Sequence, residues 1–193
     1  TGARLEGDGD CLIERISEIS AAVSGDIAFV SNSKYTQFLE TTGASAVILN
    51  SDLLAACPVP ALVTDDPRLV YARVANILHP PANMPPGIAK TAIISDDAEV
   101  DESASVSPGA VVLSKAVVKA GAQIGPNCVI EEEAVIGANT IINSNATVGY
   151  GCEIGDDCIL HSGVVIGADG FGFVKDGDVF LKIPQLGSVR IGN

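Results

Sequence analysis

From Ile94 onward an aliphatic residue recurs at every sixth position: Ile94, Val100, Val106, Val112, Val118, Ile124, Ile130, Ile136, Ile142, Val148, Ile154, Leu160 and Ile166. Four positions after each stands a small residue, as at Ala98, Ala104, Ala110, Ala116, Cys128 and Ala146. Thirteen aliphatics in register without a slip predict a parallel β-helix of hexapeptide repeats, one short strand and one turn per repeat. The aliphatic points inward and stacks on its equivalents in neighbouring coils, and the small residue fits the crowded corner. Gly follows the aliphatic at Gly125, Gly137, Gly149, Gly155 and Gly167, and is expected to relieve a turn of positive φ. Three faces use roughly 18 residues per coil. The repeats then make about four coils, a prism about 20 Å tall at ordinary strand spacing.

The register breaks after Ile166. Gly167-Ala168-Asp169-Gly170-Phe171-Gly172-Phe173 opens an excursion that runs through Lys182-Ile183-Pro184-Gln185-Leu186-Gly187 over 167–190. The repeat resumes at Ile191-Gly192, 25 residues after Ile166, so residues have been inserted. A loop leaving a regular scaffold is where binding chemistry tends to sit.

Before the repeats the pattern is different. Ile27-Ala28-Phe29-Val30, Ala46-Val47-Ile48-Leu49 and Ala61-Leu62-Val63 are apolar runs of strand length. Ser33 to Thr42 reads as a helix entered through Asn32 or Ser33 and closed by Gly43. Asp66-Pro67 supplies a capping carboxylate and a first-turn proline for a second helix. There Leu69, Ala72, Ala75 and Leu78 favour one face against Arg73 and Asn76. His79 to Gly87 holds four prolines in nine residues, which marks a linker. The organisation expected is an N-terminal α/β domain over 1–80, a Pro-rich linker over 81–93 and the β-helix over 94–193.

Composition sharpens this picture. The 193 residues are 47% apolar and 18% charged, which argues against disorder. Aromatics are 4% with no Trp, so the core is aliphatic. There are 24 acids against 11 bases, a net charge of −13, which disfavours binding to nucleic acid or an anionic membrane surface. No apolar run reaches the length of a transmembrane helix. Thr1-Gly2-Ala3-Arg4 has no signal-peptide pattern, and lacks Met, so the gene need not start there. Five cysteines without a CxxC pair argue against a disulfide framework and for a reducing compartment. Cys128, Cys152 and Cys158 all occupy the small-residue slot, a packing role. His79 ends a helix and His161 follows Leu160, pointing outward. Zinc needs three or four converging ligands, so no metal site is expected.

The order of these features resembles a known family. An α/β domain carrying Phe29-Val30-Ser31-Asn32-Ser33-Lys34-Tyr35 precedes the hexapeptides, and the G-A-D-G-F-G and K-I-P-Q-L-G segments follow. Together they look like the UDP-3-O-(3-hydroxyacyl)glucosamine N-acyltransferases of lipid A synthesis in Gram-negative bacteria. The resemblance covers essentially the whole chain. It implies a left-handed β-helix, a homotrimer with active sites between adjacent prisms, and no cofactor. It implies transfer of a 3-hydroxyacyl group from acyl carrier protein to the 2-amine of UDP-3-O-acylglucosamine, in the cytoplasm of such a bacterium or in an organelle of bacterial origin. By motif match Phe29 and Tyr35 sandwich the uracil ring and Asn32 sits beside the nucleotide. Aromatic faces stack on any base, and an amide both donates and accepts. The matching excursion makes Asp169, Phe171 and Gln185 candidates for an active-site loop.

One departure stands out. The family's general base is a histidine in a segment resembling D-N-Q-x-x-I-A-H-N, and none of the 193 residues match it. Leu160-His161-Ser162-Gly163 does not, so no catalytic residue is assigned in this chain. The resemblance therefore leads one to expect further coils beyond Asn193, carrying the base and a basic docking surface. Residues 94–171 hold 12 acids and two bases, which would repel an acidic carrier protein. The alternative is an inactive hexapeptide solenoid that binds uridine nucleotide and trimerises.

Overall fold

A computed structural model describes residues 1–31, 33–80 and 83–193 of the chain. They form two compact units, Thr1–Ala82 and Asn83–Asn193. The first holds β1 (Arg4–Glu6), β2 (Arg15–Ile16), β3 (Asp26–Phe29), β4 (Ala46–Leu49), β5 (Ala61–Val63) and α1 (Pro67–Leu78). The sheet order is β1-β5-β4-β3-β2, parallel throughout except for β1.

Alternation along β3 and β4 sends side chains to opposite faces. Ala28, Val30, Val47 and Leu49 pack with Ile19 and Leu39 on one side. Ile27, Ala46 and Ile48 pack with Val70 and Val74 of α1 on the other. With both faces covered, these strands read as continuous apolar runs. Helix α1 begins as its sequence predicts: the Asp66 carboxylate accepts from the Leu69 N–H at 3.0 Å and Pro67 occupies the first turn. Its buried face is Val70 and Val74, while Leu69 is half exposed, so the stripe expected through Leu69 is rotated.

The helix expected over Ser33 to Thr42 is a 3-10 helix over Ser33–Phe38. Two aromatics and a β-branched residue in so short a stretch give little intrinsic helix stability. The Leu39 N–H bonds back three residues to the Thr36 carbonyl at 3.0 Å, and Leu39 is fully buried. Gly43 is needed for a close approach rather than a left-handed cap. A Cβ there would stand 2.6 Å from the Ala22 carbonyl.

In the second unit each hexapeptide contributes a two-residue strand, and residues eighteen apart pair in parallel, as Val111 with Val129 and Val129 with Thr147. Three five-stranded sheets result. The predicted aliphatics fill the inside: Val112, Ile124, Ile130, Ile136, Ile142 and Val148 have no exposed surface. The small slot is equally dry at Ala110, Ala116, Ala122, Cys128, Ala134 and Ala146. Thr140 fits that slot because its hydroxyl donates to the Gly155 carbonyl at 2.7 Å and accepts from the Cys158 N–H at 3.0 Å.

The corners differ from expectation. Positive φ falls on the third residue after each aliphatic from Val106 to Leu160, at Gly109, Lys115, Gly121, Asn127, Glu133, Asn139, Asn145, Gly151, Asp157 and Gly163. Gly125, Gly137, Gly149 and Gly155, which follow the aliphatic directly, do not have positive φ; of the glycines in that position only Gly167 does. They are small because the next coil lies against them. A Cβ on Gly125 would meet the Ile142 carbonyl at 2.7 Å, and one on Gly137 would overlap the backbone of Gly155.

The solenoid also begins earlier than Ile94. Gly87–Ile88 already pairs with Ser105 and Val106, one repeat before the first predicted one. Met84 and Pro85, at the end of the Pro-rich segment, are docked on this unit. The Ser105 hydroxyl donates to the carbonyls of Met84 and Pro85, and the Met84 N–H donates to Gln123 Oε1 at 3.0 Å. At the other end Ile191 pairs with Ile154, as the resumed repeat predicts, and Arg190 already belongs to that strand, pairing with Glu153. The excursion carries an antiparallel hairpin of Phe173–Asp176 and Val179–Lys182.

Three substitutions separate these roles. Val148→Asp puts an unpaired carboxylate into the stack and should abolish cooperative unfolding of this unit in urea; a cooperative variant would mean the inward register is wrong. Gly137→Ala should destabilise by about 1–3 kcal/mol through backbone overlap. Lys115→Asn should be neutral or gain up to about 1 kcal/mol, because asparagine tolerates the left-handed region better. Denaturant midpoints check both.

Candidate nucleotide pocket

Phe29 is the last residue of β3, and alternation places it with Ile27 on the face covered by α1. There it meets Tyr71, ring centroids 4.5 Å apart and planes tilted by 37°. Tyr35 lies in the 3-10 helix that follows β3 and is half exposed. These rings share a cavity of about 360 Å³ with Ile16, Ser17, Glu18, Ile19 and Ser31. The structure thus brings two predicted residues, Phe29 and Tyr35, to one cavity. Asn32 lies outside the described residues.

A buried carboxylate braces Ser17, one of the lining residues. Asp26 is only 2% exposed, and its oxygens accept from Arg15 Nε at 3.0 Å, Arg15 Nη2 at 2.9 Å, the Ser17 hydroxyl at 2.8 Å and the Val23 N–H at 3.0 Å. These bonds tie Ser17, which lines the cavity, to the start of the strand that ends in Phe29. The Val23 N–H, the Ser17 hydroxyl and the Arg15 guanidinium hold the Asp26 carboxyl below the usual carboxylate range, against an opposing contribution from burial.

The excursion candidates are held within their own loop. Asp169 pairs with Lys182 Nζ at 3.0 Å, and that ammonium also donates to the carbonyls of Gly170 and Ile183 and lies 5.6 Å from the centre of the Phe173 ring. Gln185 Oε1 accepts from the Gly170 N–H at 3.2 Å, while its amide nitrogen donates to the Gly187 carbonyl. Asp169 and Gln185 therefore shape the loop. Phe171 touches Phe173 edge-on at 5.4 Å yet is 98% exposed, so it is the one free to meet another molecule.

Cys128, His79 and His161 lie outside this cavity. Cys128 is buried, its thiol 3.0 Å from the Asn143 carbonyl, and desolvation pushes its pKa up, the opposite of a reactive thiolate. His79 follows α1 with its backbone N–H donating to the Ala75 carbonyl, and His161 is exposed. Among the described residues no cluster of His, Cys, Asp and Glu could hold a metal ion, and no helix is long and apolar enough to cross a membrane.

Comparison with known proteins finds two family models that match stretches of the chain. Residues 10–77, which contain the whole cavity, match the family described as UDP-3-O-(3-hydroxymyristoyl) glucosamine N-acyltransferase, LpxD. Residues 133–168 match the bacterial transferase hexapeptide family. A UDP-3-O-acylglucosamine N-acyltransferase of Coxiella burnetii is 38% identical over 194 residues, covering 100% of this chain and 56% of its own length.

The chain belongs to the UDP-3-O-acylglucosamine N-acyltransferase family.

Another relative of that name, from Pseudoalteromonas atlantica, is 48% identical over 97% of this chain and 55% of its own. The chain thus spans about half the length of the curated N-acyltransferases it matches. Among solved structures, PerB from Caulobacter crescentus in complex with CoA and GDP-perosamine aligns over 72% of this chain and 70% of its own. Its identity is 19% and its TM-score 0.33, too low to carry an argument.

Sequence reasoning missed part of this cavity. Tyr71 sits inside an ordinary helix pattern, and nothing local marks it as facing Phe29. The segment Ile16 to Ile19 carries no motif. The nearest signal was Asp26, an acid directly before an apolar strand, a position that calls for partners when buried.

Asp26 gives a pH prediction. Its pKa is lower folded than unfolded, so its contribution to stability is complete above the unfolded value and is lost as pH falls through the folded one. Asp26→Asn should be less stable than wild type at pH 7. The gap should narrow below about pH 4, where unfolded aspartates protonate. Urea midpoints across pH 2–7 check this, and a constant gap would contradict it.

Proposed function

We propose that this chain is the nucleotide-sugar-binding unit and part of the left-handed β-helix of an enzyme that N-acylates UDP-3-O-acylglucosamine. The observation that carries the reading is the aromatic cavity of Phe29, Tyr35 and Tyr71 inside the stretch matched by the family. The uracil ring lies between Phe29 and Tyr35, with the Asn32 amide beside the nucleotide. Stacking supplies affinity without demanding more of the rings than a flat partner.

In the reaction the glucosamine 2-amine attacks the thioester carbonyl of a 3-hydroxyacyl group on acyl carrier protein. The C–N bond forms, the C–S bond breaks, the carrier thiol leaves, and the amine proton passes to a general base. In the family that base is an imidazole in the segment these residues do not match, and His161 is not given the role. Three copies assemble, with sites between adjacent prisms. The excursion of Asp169, Phe171 and Gln185 borders the acyl end of the substrate. The acidic carrier protein docks away from the acid-rich faces of residues 94–171.

Calorimetry with UDP tests the binding half directly. Wild type should bind, and Phe29→Ala and Tyr35→Ala should each weaken UDP by about 1–3 kcal/mol, the range for a lost base stack. Unchanged UDP affinity in both variants would overturn the assignment.

A further inference from the structure

Phe29 terminates a strand, and a ring at a strand end is oriented by whatever packs behind it. Here that is Tyr71: the two centroids are 4.5 Å apart with the planes tilted by 37°, so Tyr71 lies against one face of Phe29. Both rings border the cavity, and Tyr35 borders it too. Helix α1 is a firm support for Tyr71. Its first turn is capped by Asp66, and Pro67, Val70 and Val74 are buried, the two valines packing with Ile27, Ala46 and Ile48. An offset, tilted aromatic pair at this distance is a favourable geometry. With one face of Phe29 occupied, a flat heterocycle has only the other to stack on.

We infer that Tyr71 is a positioning residue for base recognition, fixing the plane of Phe29 so that it presents one face to a planar pyrimidine. This rests on the nucleotide reading above and adds a residue to it. Because the effect is on ring orientation, it concerns discrimination between flat and puckered bases as well as affinity. Uracil is planar. Its 5,6-dihydro derivative carries the same hydrogen-bonding groups on a puckered ring and stacks poorly. The phenol hydroxyl plays no part in the argument, so phenylalanine should substitute for Tyr71.

The test is titration of the 193-residue chain with UDP and with 5,6-dihydro-UDP, in wild type, Tyr71→Phe and Tyr71→Leu. Wild type and Tyr71→Phe should prefer UDP and agree within about twofold. Tyr71→Leu should bind UDP about three- to tenfold more weakly, the worth of an aromatic pair. Its preference for UDP over the dihydro compound should shrink toward unity. A merely structural role would lower affinity for both nucleotides alike and leave their ratio unchanged; that result overturns the inference. So does wild-type UDP affinity in Tyr71→Leu. Absence of UDP binding by the wild type overturns the nucleotide reading itself, and this inference with it. Thermal melts confirm that each variant is folded, and Tyr71→Met, an unbranched side chain of similar reach, replaces the leucine variant if that one is not.

Discussion

Backbone pairing between residues eighteen positions apart is the constraint on which the second unit depends. Once Val111 pairs with Val129 and Val129 with Thr147, every side chain along the strand has a copy of its own environment one coil above and below. An inward residue must then be aliphatic, since a polar one would face a dry column with no partner. The residue before the strand must be small, because at each level the one chain turns inward at three corners. The corner must pass through positive φ, and asparagine, glycine and aspartate occupy most of those positions. Lys115 and Glu133, less suited to that conformation, are tied together by an ion pair, and Glu133 also accepts from the Tyr150 hydroxyl at 2.9 Å.

The first unit solves a different problem. Its sheet is covered on both faces, so the strands carry almost no polar information and the site is made where they end. Phe29 leaves the core at the end of β3, Tyr71 comes from α1, and Tyr35 follows in a 3-10 helix. The aromatic part of the cavity is therefore the junction of three elements, and Ile16 of β2 with Ser17 to Ile19 lines the rest. Asp26, the one buried charge among the described residues, joins the cavity wall to the strand that delivers Phe29, and it is satisfied by four hydrogen-bonding contacts.

Much of this was legible in the sequence because the repeat is a one-dimensional rule. The inward aliphatics, the small slots and the resumption at Ile191 follow from counting alone. The role of glycine was misjudged because both a turn and a close approach favour it, and only coordinates show whether φ or the neighbouring coil is the reason. The first repeat, at Ile88, was hidden by the prolines before it. In the cavity, Phe29 and Tyr35 were visible through a motif that spans one strand end and the turn after it. Tyr71 was not, because its contact with Phe29 bridges forty-two positions and depends on how α1 packs on the sheet.

The central claim is that the aromatic cavity of the first unit takes a uracil base. A crystal structure of the chain grown with UDP tests it most directly. The account predicts density for a flat ring between Phe29 and Tyr35, with Tyr71 on the far face of Phe29. A base bound elsewhere on the chain, with this cavity empty at saturating nucleotide, would contradict it.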